Sequence, residues 1–507
     1  MKVCLLFPER DFDFTLPAPR SELQGELTLD LGLDVLWAAM AQGDSLVRQV
    51  VERVMLSSLE VERTVVVYRQ GILRDFLQNT GALEALYALV QEGLASEKKA
   101  RHWAYSRSPS SVLLRALEVM GLLLVHLRRL RAWAEAMEGR LRSQGLSQLV
   151  SSLRRELDEA YLREVEEHLE GLAFRQGVLL GAELGPGLKG MGYRLLKPKK
   201  PEQSWWQRLL APKPPAYTFT LHPRDESGFQ ILREIQDRGL NTTANALAQS
   251  VDHILGFLNQ LRSELAFYLG ALRLYRQLEA LGVPLCFPEV ADDSTCSFQG
   301  LCDLALALRS GGSVVGNDLT RGSALVVITG ANQGGKTTFL RSVGQGQLML
   351  QSGLFVGASS FTSGLCKGIY THFKREEDAG LKSGKFDEEL SRMSRIVEHL
   401  QAGALVLLNE SFASTYEPEG AEVAYQVVRA LMEEGVRVYL VSHMYSLTHR
   451  LYEERQSGAV FLRAERRPDG SRSFRILPGA PQRTSYGEDI YQQVFGSFDE
   501  RTKVGGK

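Results

Sequence analysis

Apolar residues recur at helical spacing over long stretches of this chain. Between about residues 31 and 180 they return every three or four positions, as in Leu123, Leu127, Leu130, Ala134, Met137 and Leu141. A second stripe, from about residue 240, comprises Leu247, Val251, Ile254, Leu258, Leu261, Leu265 and Leu269. This spacing predicts long amphipathic helices over 31–285, each packing through one apolar face. Residues 1–30, which include Pro8, Pro17 and Pro19, are predicted to be irregular.

A different pattern follows residue 286. Three short runs, at 324–329, 404–408 and 436–441, are apolar and have the length of buried strands in a parallel sheet. Residues 338–341 open a helix soon after the first run. The chain is therefore predicted to be multidomain, with a long α-helical region over 31–285 followed by an α/β domain over 286–507.

Residues 177–222 interrupt the helical pattern. Short strand candidates at 177–185, 191–196 and 217–221 surround a proline-rich segment. That segment combines cations with two tryptophans, namely Lys197, Lys199, Lys200, Trp205, Trp206 and Arg208. These residue types are suited to neutralising phosphates and stacking on bases of a nucleic acid. A proline-rich surface loop anchored by tryptophan explains them equally well.

The composition narrows the class of protein. The chain has 507 residues, of which 44% are hydrophobic and 23% are charged, and its net charge is −1. These values are those of an ordinary soluble globular protein with about two to four domains. Any surface for nucleic acid must therefore be local. Five cysteines lack zinc-ligand spacing and no run reaches 18 apolar residues. We expect a cytoplasmic protein without a membrane span.

Residues 330–337 carry the strongest chemical signal. They read Gly-Ala-Asn-Gln-Gly-Gly-Lys-Thr, which fits the phosphate-binding P-loop between a strand and a helix. Glycines let backbone N–H groups surround phosphate oxygens, and the helix N-terminus adds positive potential. Lys336 is expected to reach the β- and γ-phosphates of ATP, and the Thr337 hydroxyl is expected to hold Mg²⁺.

Polar residues follow the next two predicted strands. Asn409 and Glu410 come after the run 404–408, where a P-loop enzyme places its magnesium ligand and the base that polarises water. His443 follows the run 436–441, at the strand end where ligands bind in such sheets. Lys336, Glu410 and His443 are therefore the candidate catalytic residues. Thr337 and Asn409 are the candidate Mg²⁺ ligands.

Residues 328–341 resemble the T-G-x-N-x-G-G-K-[ST]-T stretch of the MutS ATPases of DNA mismatch repair. Residues 316–318 (Gly-Asn-Asp) are similar to the family's P-N-D segment beside the nucleotide. Residues 386–390 resemble its F-x-x-E-M signature, and residues 414–415 and 485–487 resemble its S-T and S-Y-G segments. The resemblance is specific in the last two-fifths of the chain. In the helical region it rests on the pattern of long helices alone.

The resemblance implies an ABC-type ATPase domain over 286–507, a helical core and lever region over 31–285, and a clamp reduced to about 177–222. It also implies a homodimer with ATP between the subunits, in which the signature of one subunit completes the site of the other. The residues that it assigns to nucleotide binding are Gly330, Asn332, Gly334, Gly335, Lys336, Thr337, Thr338, Asn317 and Gly384.

The chain departs from the family pattern at three places in the site. Asn409 stands where the family has Asp, Gly384 stands where its signature has Ser, and the loop 411–415 lacks the family's glycines. An amide keeps an oxygen near Mg²⁺ but loses the charge, so slow hydrolysis is expected. Residues 1–30 are too few for the family's mismatch-recognition domain, which this chain is expected to lack.

The expected function is ATP-dependent binding of mismatched, branched or otherwise structured DNA in a repair-like role. The alternative is a nucleotide-switched interaction protein that acts on structured RNA, a ribosome or a protein partner, with slow or no ATP turnover. A third interpretation, an ATP-binding scaffold without turnover, rests on Asn409 alone. Salt-dependent binding to duplex, branched and RNA ligands distinguishes DNA binding from the alternative.

Overall fold

The computed structural model describes residues 1–16, 22–100, 108–174, 177–196, 217–322, 324–375, 384–454, 458–467 and 469–482, with the backbone alone at 99–100. The family-like segment 485–487 lies outside the described residues. So do the candidate nucleic-acid contacts Lys197, Lys199, Lys200, Trp205, Trp206 and Arg208.

The chain divides into two compact units, each of which combines segments that are apart in the sequence. The first unit comprises Met1–Val3, Glu84–Arg140 and Ser147–Arg262. The second comprises Cys4–Leu83, Leu141–Leu146 and Ser263–Lys507. Residues 4–83 join the unit that contains the P-loop because their helices pack against its strands and helices.

Helices dominate residues 22–172. They are α1 (Glu22–Leu31), α2 (Leu33–Ala41), α3 (Ser45–Leu56), α4 (Arg63–Gln78), α5 (Ala82–Ala100), α6 (Pro109–Met137), α7 (Gln144–Glu156) and α8 (Glu159–Leu172). A single long helix, α9, spans Glu226–Ala280. The apolar stripes predicted for these regions are buried, for example at Leu123, Leu127, Leu261 and Leu265. The long helices are therefore confirmed, whereas α1 replaces the irregular structure predicted for the end of 1–30.

Arginines on α6 form exposed ion pairs. Arg128 lies 2.7 Å from Glu166, and Arg131 lies 2.9 Å from Glu135. Exposed pairs of this kind contribute little stability. They show that this charged face of α6 is balanced by acidic neighbours.

Helix α6 is also long and apolar enough to cross a membrane by length and composition. Its most apolar 18-residue window has a mean hydropathy of 1.6, and 39% of that window is buried. An apolar helix in the core of a protein meets the same criteria.

A small hairpin belongs to the first unit. Strands β1 (Leu180–Leu184) and β2 (Gly190–Leu195) pair in antiparallel fashion, as their patterns predicted. The third strand candidate, 217–221, is wrong, because these residues form no regular element. A strand needs a partner for its backbone hydrogen bonds, and β1 pairs with β2.

The second unit is built around a six-stranded sheet. Its strands are β6 (Leu325–Gly330), β8 (Ile369–Phe373), β9 (Leu405–Asn409), β10 (Arg437–Val441), β11 (Val460–Arg466) and β12 (Arg472–Pro478). Their order is β12-β11-β6-β10-β9-β8, and every neighbouring pair is parallel except β11 with β12. The three predicted apolar strands are β6, β9 and β10, at the centre of the sheet, which explains why they are apolar throughout.

A four-stranded sheet accompanies it. Its strands are β3 (Glu289–Ala291), β4 (Cys296–Leu301), β5 (Asn317–Gly322) and β7 (Ser360–Gly364), and their order is β3-β7-β4-β5. The helices of this part are α10 (Leu304–Ser310), α11 (Lys336–Gln351), α12 (Lys385–His399), α13 (Glu417–Glu433) and α14 (Tyr445–Glu453). The fold of the unit is thus rich in helices and contains mixed sheets.

Parallel alignment brings three strand ends to one edge of the large sheet. Val441 pairs with Ile328 on one side and with Asn409 on the other. The loops that follow β6, β9 and β10 therefore lie next to one another, as ligand-binding loops do in such sheets.

The first residues of the chain are fastened to α9. The buried carboxylate of Glu264 accepts hydrogen bonds from the backbone N–H groups of Leu5 at 2.6 Å, Leu6 at 3.1 Å and Phe12 at 2.9 Å. The Tyr268 hydroxyl donates to the Leu5 carbonyl at 2.6 Å. An irregular segment is held here because one carboxylate satisfies three buried N–H groups.

Candidate functional site

The loop between β6 and α11 contains the glycines of residues 330–337. Gly335 has φ 88° and immediately precedes α11. A Cβ at Gly334 would lie 2.7 Å from the Cβ of Ala464 and 2.8 Å from the Ala331 carbonyl oxygen. Glycine is required at the first position by its left-handed conformation and at the second by close packing. These glycines therefore lie in the turn from β6 into α11, the position at which the P-loop is predicted.

Lys336 lies across this loop. Its side chain is only 6% exposed, and Nζ donates to the carbonyl oxygens of Gly330 at 2.9 Å and Ala331 at 3.1 Å. Burial lowers the pKa of Lys336, while the nearby Glu410 carboxylate raises it. The ammonium group is thus held by two carbonyl oxygens of the loop.

A cavity of about 650 Å³ opens beside the loop. Its size is that of a small-ligand pocket, which is typically about 300–1,000 Å³. Most of the predicted nucleotide-binding residues line it, together with Glu410: Asn317, Asn332, Gly334, Gly335, Lys336, Thr337 and Thr338. Gln333 of the same loop lines the cavity as well. The remaining lining residues, which no sequence pattern indicated, are Leu306, Ser310, Ser313, Val314, Val315 and Phe474.

The two predicted Mg²⁺ ligands lie next to each other. The Thr337 hydroxyl donates to Asn409 Oδ1 at 3.1 Å, and Asn409 is 8% exposed at the end of β9. Magnesium binds oxygen ligands, so this hydroxyl and amide pair fits the ion chemically. Both groups are neutral, and the charge that a carboxylate would supply at position 409 is missing.

Glu410 has an unusual backbone and a close partner. Its φ is 53°, a left-handed conformation that is uncommon for a residue with a side chain. Its backbone N–H donates to the Val441 carbonyl at 2.9 Å. The carboxylate accepts hydrogen bonds from both the backbone N–H and the Nδ1 of His443. The hydrogen bond to Glu410 raises the pKa of His443, so the two side chains form a coupled pair beside the P-loop.

The signature-like segment begins α12. Gly384 is the exposed N-cap of this helix and does not line the cavity of its own chain. Glu389 is buried, and its carboxylate accepts a hydrogen bond from the Ser414 hydroxyl at 3.2 Å. The helix is thereby connected to the loop that follows Glu410.

Asn317 contacts protein atoms through its side chain. Its Nδ2 donates to the Phe474 carbonyl at 3.3 Å, and its Oδ1 accepts from the Ile476 N–H at 2.7 Å. Although Asn317 lines the cavity, its amide therefore connects β5 to β12. No pattern near residue 474 pointed to this contact, because the two partners are far apart in the chain.

Comparison with known proteins identifies the family. The MutS2 N-terminal domain matches residues 61–281, and MutS domain V matches residues 326–495. The predicted helical region, 31–285, resembled the family only in its pattern of long helices. The match of the MutS2 N-terminal domain now covers most of that region. Domain V covers β6, the P-loop and the strand ends after β9 and β10.

Proteins named DNA mismatch repair protein MutS are similar to part of the chain. The one from Synechococcus elongatus is 30% identical over 236 residues, which are 43% of this chain and 26% of that protein. The one from Thermus aquaticus is 31% identical over 186 residues, 35% of this chain and 22% of that protein. The chain therefore spans about a quarter of the length of these relatives. With matches to two MutS domains and these relatives, the chain belongs to the MutS family.

Proposed function

We propose that this chain is an ATP-dependent DNA-binding protein of the MutS type. In this proposal it is a cytoplasmic homodimer that binds and hydrolyses ATP, and its nucleotide state controls binding to mismatched, branched or otherwise structured DNA. The observation that carries the proposal is the cavity walled by the P-loop, with Lys336 and Glu410 on its lining. The MutS relatives supply the expectation of DNA as the ligand.

Each residue has a defined part in ATP binding and hydrolysis. The backbone N–H group of Gly335 and the Lys336 ammonium bind the phosphates, and their positive potential stabilises charge that develops on the γ-phosphate. Glu410 accepts a proton from the attacking water. His443 donates to Glu410 and holds that carboxylate in position. Thr337 and Asn409 would hold Mg²⁺, which neutralises phosphate charge when bound.

The second subunit completes the site in this proposal. Gly384 is exposed at the start of α12, where it is free of the cavity of its own chain and available to the nucleotide of a partner. The hydrogen bond from Ser414 to Glu389 would transmit the state of the catalytic loop to α12. Nucleotide-dependent pairing of the ATPase regions would then move the long helices that contact DNA.

One observation favours the alternative function. Asn409 gives the Mg²⁺ position an amide and no carboxylate, which suits a slow switch better than rapid turnover. A nucleotide-switched interaction protein that acts on structured RNA, a ribosome or a protein partner would use the same cavity. This alternative protein would differ from the proposed one in the macromolecule that it binds, and its nucleotide chemistry would be the same.

A gel-shift panel tests the proposal. Duplex, mismatched, branched DNA and structured RNA are titrated with and without ATP at several salt concentrations. We expect tighter binding to a structured DNA than to RNA, a change on adding ATP, and a steep salt dependence. Preference for RNA, or absence of any nucleic-acid binding, would favour the alternative.

Replacing Lys197, Lys199 and Lys200 with Ala should weaken binding to all nucleic-acid sequences alike and reduce the dependence of affinity on salt concentration.

A further inference from the structure

Helix α1 carries a row of acidic side chains. Glu22, Glu26 and Asp30 follow one another at intervals of four residues, so they lie along one face of the helix. Each of them pairs with an arginine at the end of β8 or on α12. Helix α1 lies outside both family matches, which begin at residues 61 and 326. The matched domain is therefore held by an element that precedes it in the chain.

Two of these ion pairs are largely buried. Arg392 of α12 donates from Nε to Glu26 Oε1 and from Nη2 to Oε2, each at 3.1 Å, and its side chain is only 4% exposed. The Arg375 guanidinium donates to Asp30 Oδ1 at 2.6 Å, and the Asp30 side chain is 2% exposed. A bidentate pair fixes geometry more strictly than a single contact does. Removing one partner of such a pair leaves a buried charge uncompensated, so α1 and α12 are firmly joined.

The same arginine reaches the edge of the large sheet. Arg392 Nη1 donates to the Phe373 carbonyl at 3.0 Å. Phe373 is the last residue of β8 and pairs with Asn409, and the next N–H, of Lys374, donates to the Asn409 carbonyl at 2.9 Å. One guanidinium therefore connects α1, α12 and the strand end next to a predicted Mg²⁺ ligand.

The other end of α1 is fastened to α11, the helix that follows the P-loop. The Leu31 carbonyl accepts a hydrogen bond from the buried Gln345 Nε2 at 2.8 Å. A Cβ at Gly344 would lie 2.6 Å from Leu31 Cδ2, so α11 has no side chain at the point where Leu31 packs. Helix α1 thus contacts both the P-loop helix and the helix that carries the signature-like segment.

We propose that Glu26 and Asp30 are positioning residues that hold α12 in a fixed orientation relative to the P-loop helix. The exposed start of α12 is the part proposed to reach the nucleotide of a partner, so its orientation decides whether that contact forms. Neither carboxylate lines the cavity, and each acts through its arginine. This inference rests on the proposed dimeric ATPase, and it adds the element that sets the position of α12.

Hydrogen exchange of the full chain without nucleotide tests whether α1 fixes α12. Glu26→Gln keeps the shape of the side chain and removes its charge. Exchange over Lys385–His399 should become faster by roughly tenfold or more, because the loss of a buried ion pair weakens the structure that it holds. Exchange over Glu417–Glu433 should be unchanged. Glu22→Gln is the matched control, since Glu22 belongs to the same row but its side chain is 76% exposed.

Turnover and ATP affinity of the same variants test whether the position of α12 matters for the reaction. Glu26→Gln should bind a fluorescent ATP analogue as the wild type does, because its P-loop is intact. Its turnover at saturating ATP should fall by roughly tenfold, since a small misplacement of a group in the site is costly. Glu26→Asp, which keeps the charge, should recover part of that loss. Asp30→Asn is the second variant if Glu26→Gln does not fold, because its partner Arg375 is 28% exposed and can be solvated.

Three results would overturn the inference. The first is wild-type exchange over α12 in the folded variant. The second is wild-type turnover in a variant whose α12 exchanges faster. The third is a loss of ATP affinity as large as the loss of turnover, which would mean that the ion pairs only support the fold of the P-loop. A wild-type protein that does not bind ATP would contradict the proposed function, whereas exchange without nucleotide would still decide whether α1 fixes α12.

Discussion

Asn409 and Glu410 are adjacent residues at the end of β9, yet they contribute different chemistry. Asn409 is largely buried and its amide oxygen accepts from the Thr337 hydroxyl. Glu410 lines the cavity and accepts two hydrogen bonds from His443. A neutral oxygen therefore lies where a metal would bind, and the negative charge lies where water would be activated. Substitutions at the two positions should separate metal binding from proton transfer.

Replacing Glu410 with Gln should stop hydrolysis and leave ATP binding intact. The amide keeps the shape of the side chain but cannot accept the proton of the attacking water, and loss of a general base typically costs about a hundredfold or more in rate. Phosphate release and ATP affinity are measured on the same preparation, with Glu433→Gln, at an exposed residue of α13 outside the cavity lining, as a control. Turnover equal to that of the wild type would show that another residue is the base.

Replacing Asn409 with Asp should strengthen the dependence of ATP binding on Mg²⁺. One added negative charge beside a divalent ion is expected to tighten Mg²⁺ binding by roughly tenfold, and hydrolysis should become faster. Titration of Mg²⁺ against bound ATP gives the affinity without relying on turnover, and Asn409→Ala serves as the variant without an oxygen ligand. A weaker response to Mg²⁺ in Asn409→Asp than in the wild type would contradict our interpretation of this position.

At the scale of elements, His372 connects β8 to two other parts of the site. Its ring is buried and stacks on Phe412, with 5.3 Å between centroids. The ring Nε2–H donates to the Glu389 carbonyl of α12 at 3.0 Å, and Nδ1 lies 2.8 Å from the Ser411 hydroxyl oxygen. The same hydroxyl donates to the His372 backbone carbonyl at 2.8 Å. The helix that carries the signature-like segment is thus joined to the loop after Glu410.

The buried ring should make stability depend on pH. Burial, with help from the Arg392 charge, lowers the pKa of His372 from 6.5 to about 4. The unfolded chain therefore binds a proton that the folded chain does not, and stability falls as the pH decreases from about 7 towards 4. Between pH 7.5 and pH 5 the loss from this residue is about 2 kcal/mol.

Denaturant unfolding of the wild type and of His372→Gln at the two pH values tests this expectation. The variant should lose about 2 kcal/mol less than the wild type on acidification, since glutamine does not titrate. His399→Gln is a suitable control because His399 is an exposed histidine of α12. Equal losses in the wild type and in His372→Gln would mean that this ring contributes no pH dependence.

The sequence predicted the elements whose signals are local. The apolar runs at 324–329, 404–408 and 436–441 correspond to β6, β9 and β10, and the glycine-rich residues 331–335 form the turn from β6 into α11. The irregular pairing of β12 around Phe474, whose φ is 59°, had no local sequence signal of this kind. Phe474 lies among arginines and serines, and its conformation depends on Asn317, which is 157 positions away.

At the scale of the whole chain, the compact units could not be derived from pattern alone. Residues 4–14 looked irregular, but Glu264 binds three of their N–H groups from more than 250 positions away. Residues 4–83 consequently belong to the unit that contains the nucleotide site. Helical spacing gave the length and face of the helices correctly, since those properties depend on neighbouring residues only. It carried no information about which distant segment each face would contact.

The central claim is that the cavity beside residues 330–337 binds ATP, and Lys336→Ala tests it most directly. The ammonium group is buried and aimed along the loop, so its loss removes the charge-assisted contacts to the phosphates. Titration with a fluorescent ATP analogue should show affinity reduced by roughly a hundredfold or more. Lys367→Ala, at an exposed lysine outside the cavity lining, should bind as the wild type does. ATP affinity retained in a folded Lys336→Ala protein would contradict the assignment of the nucleotide site.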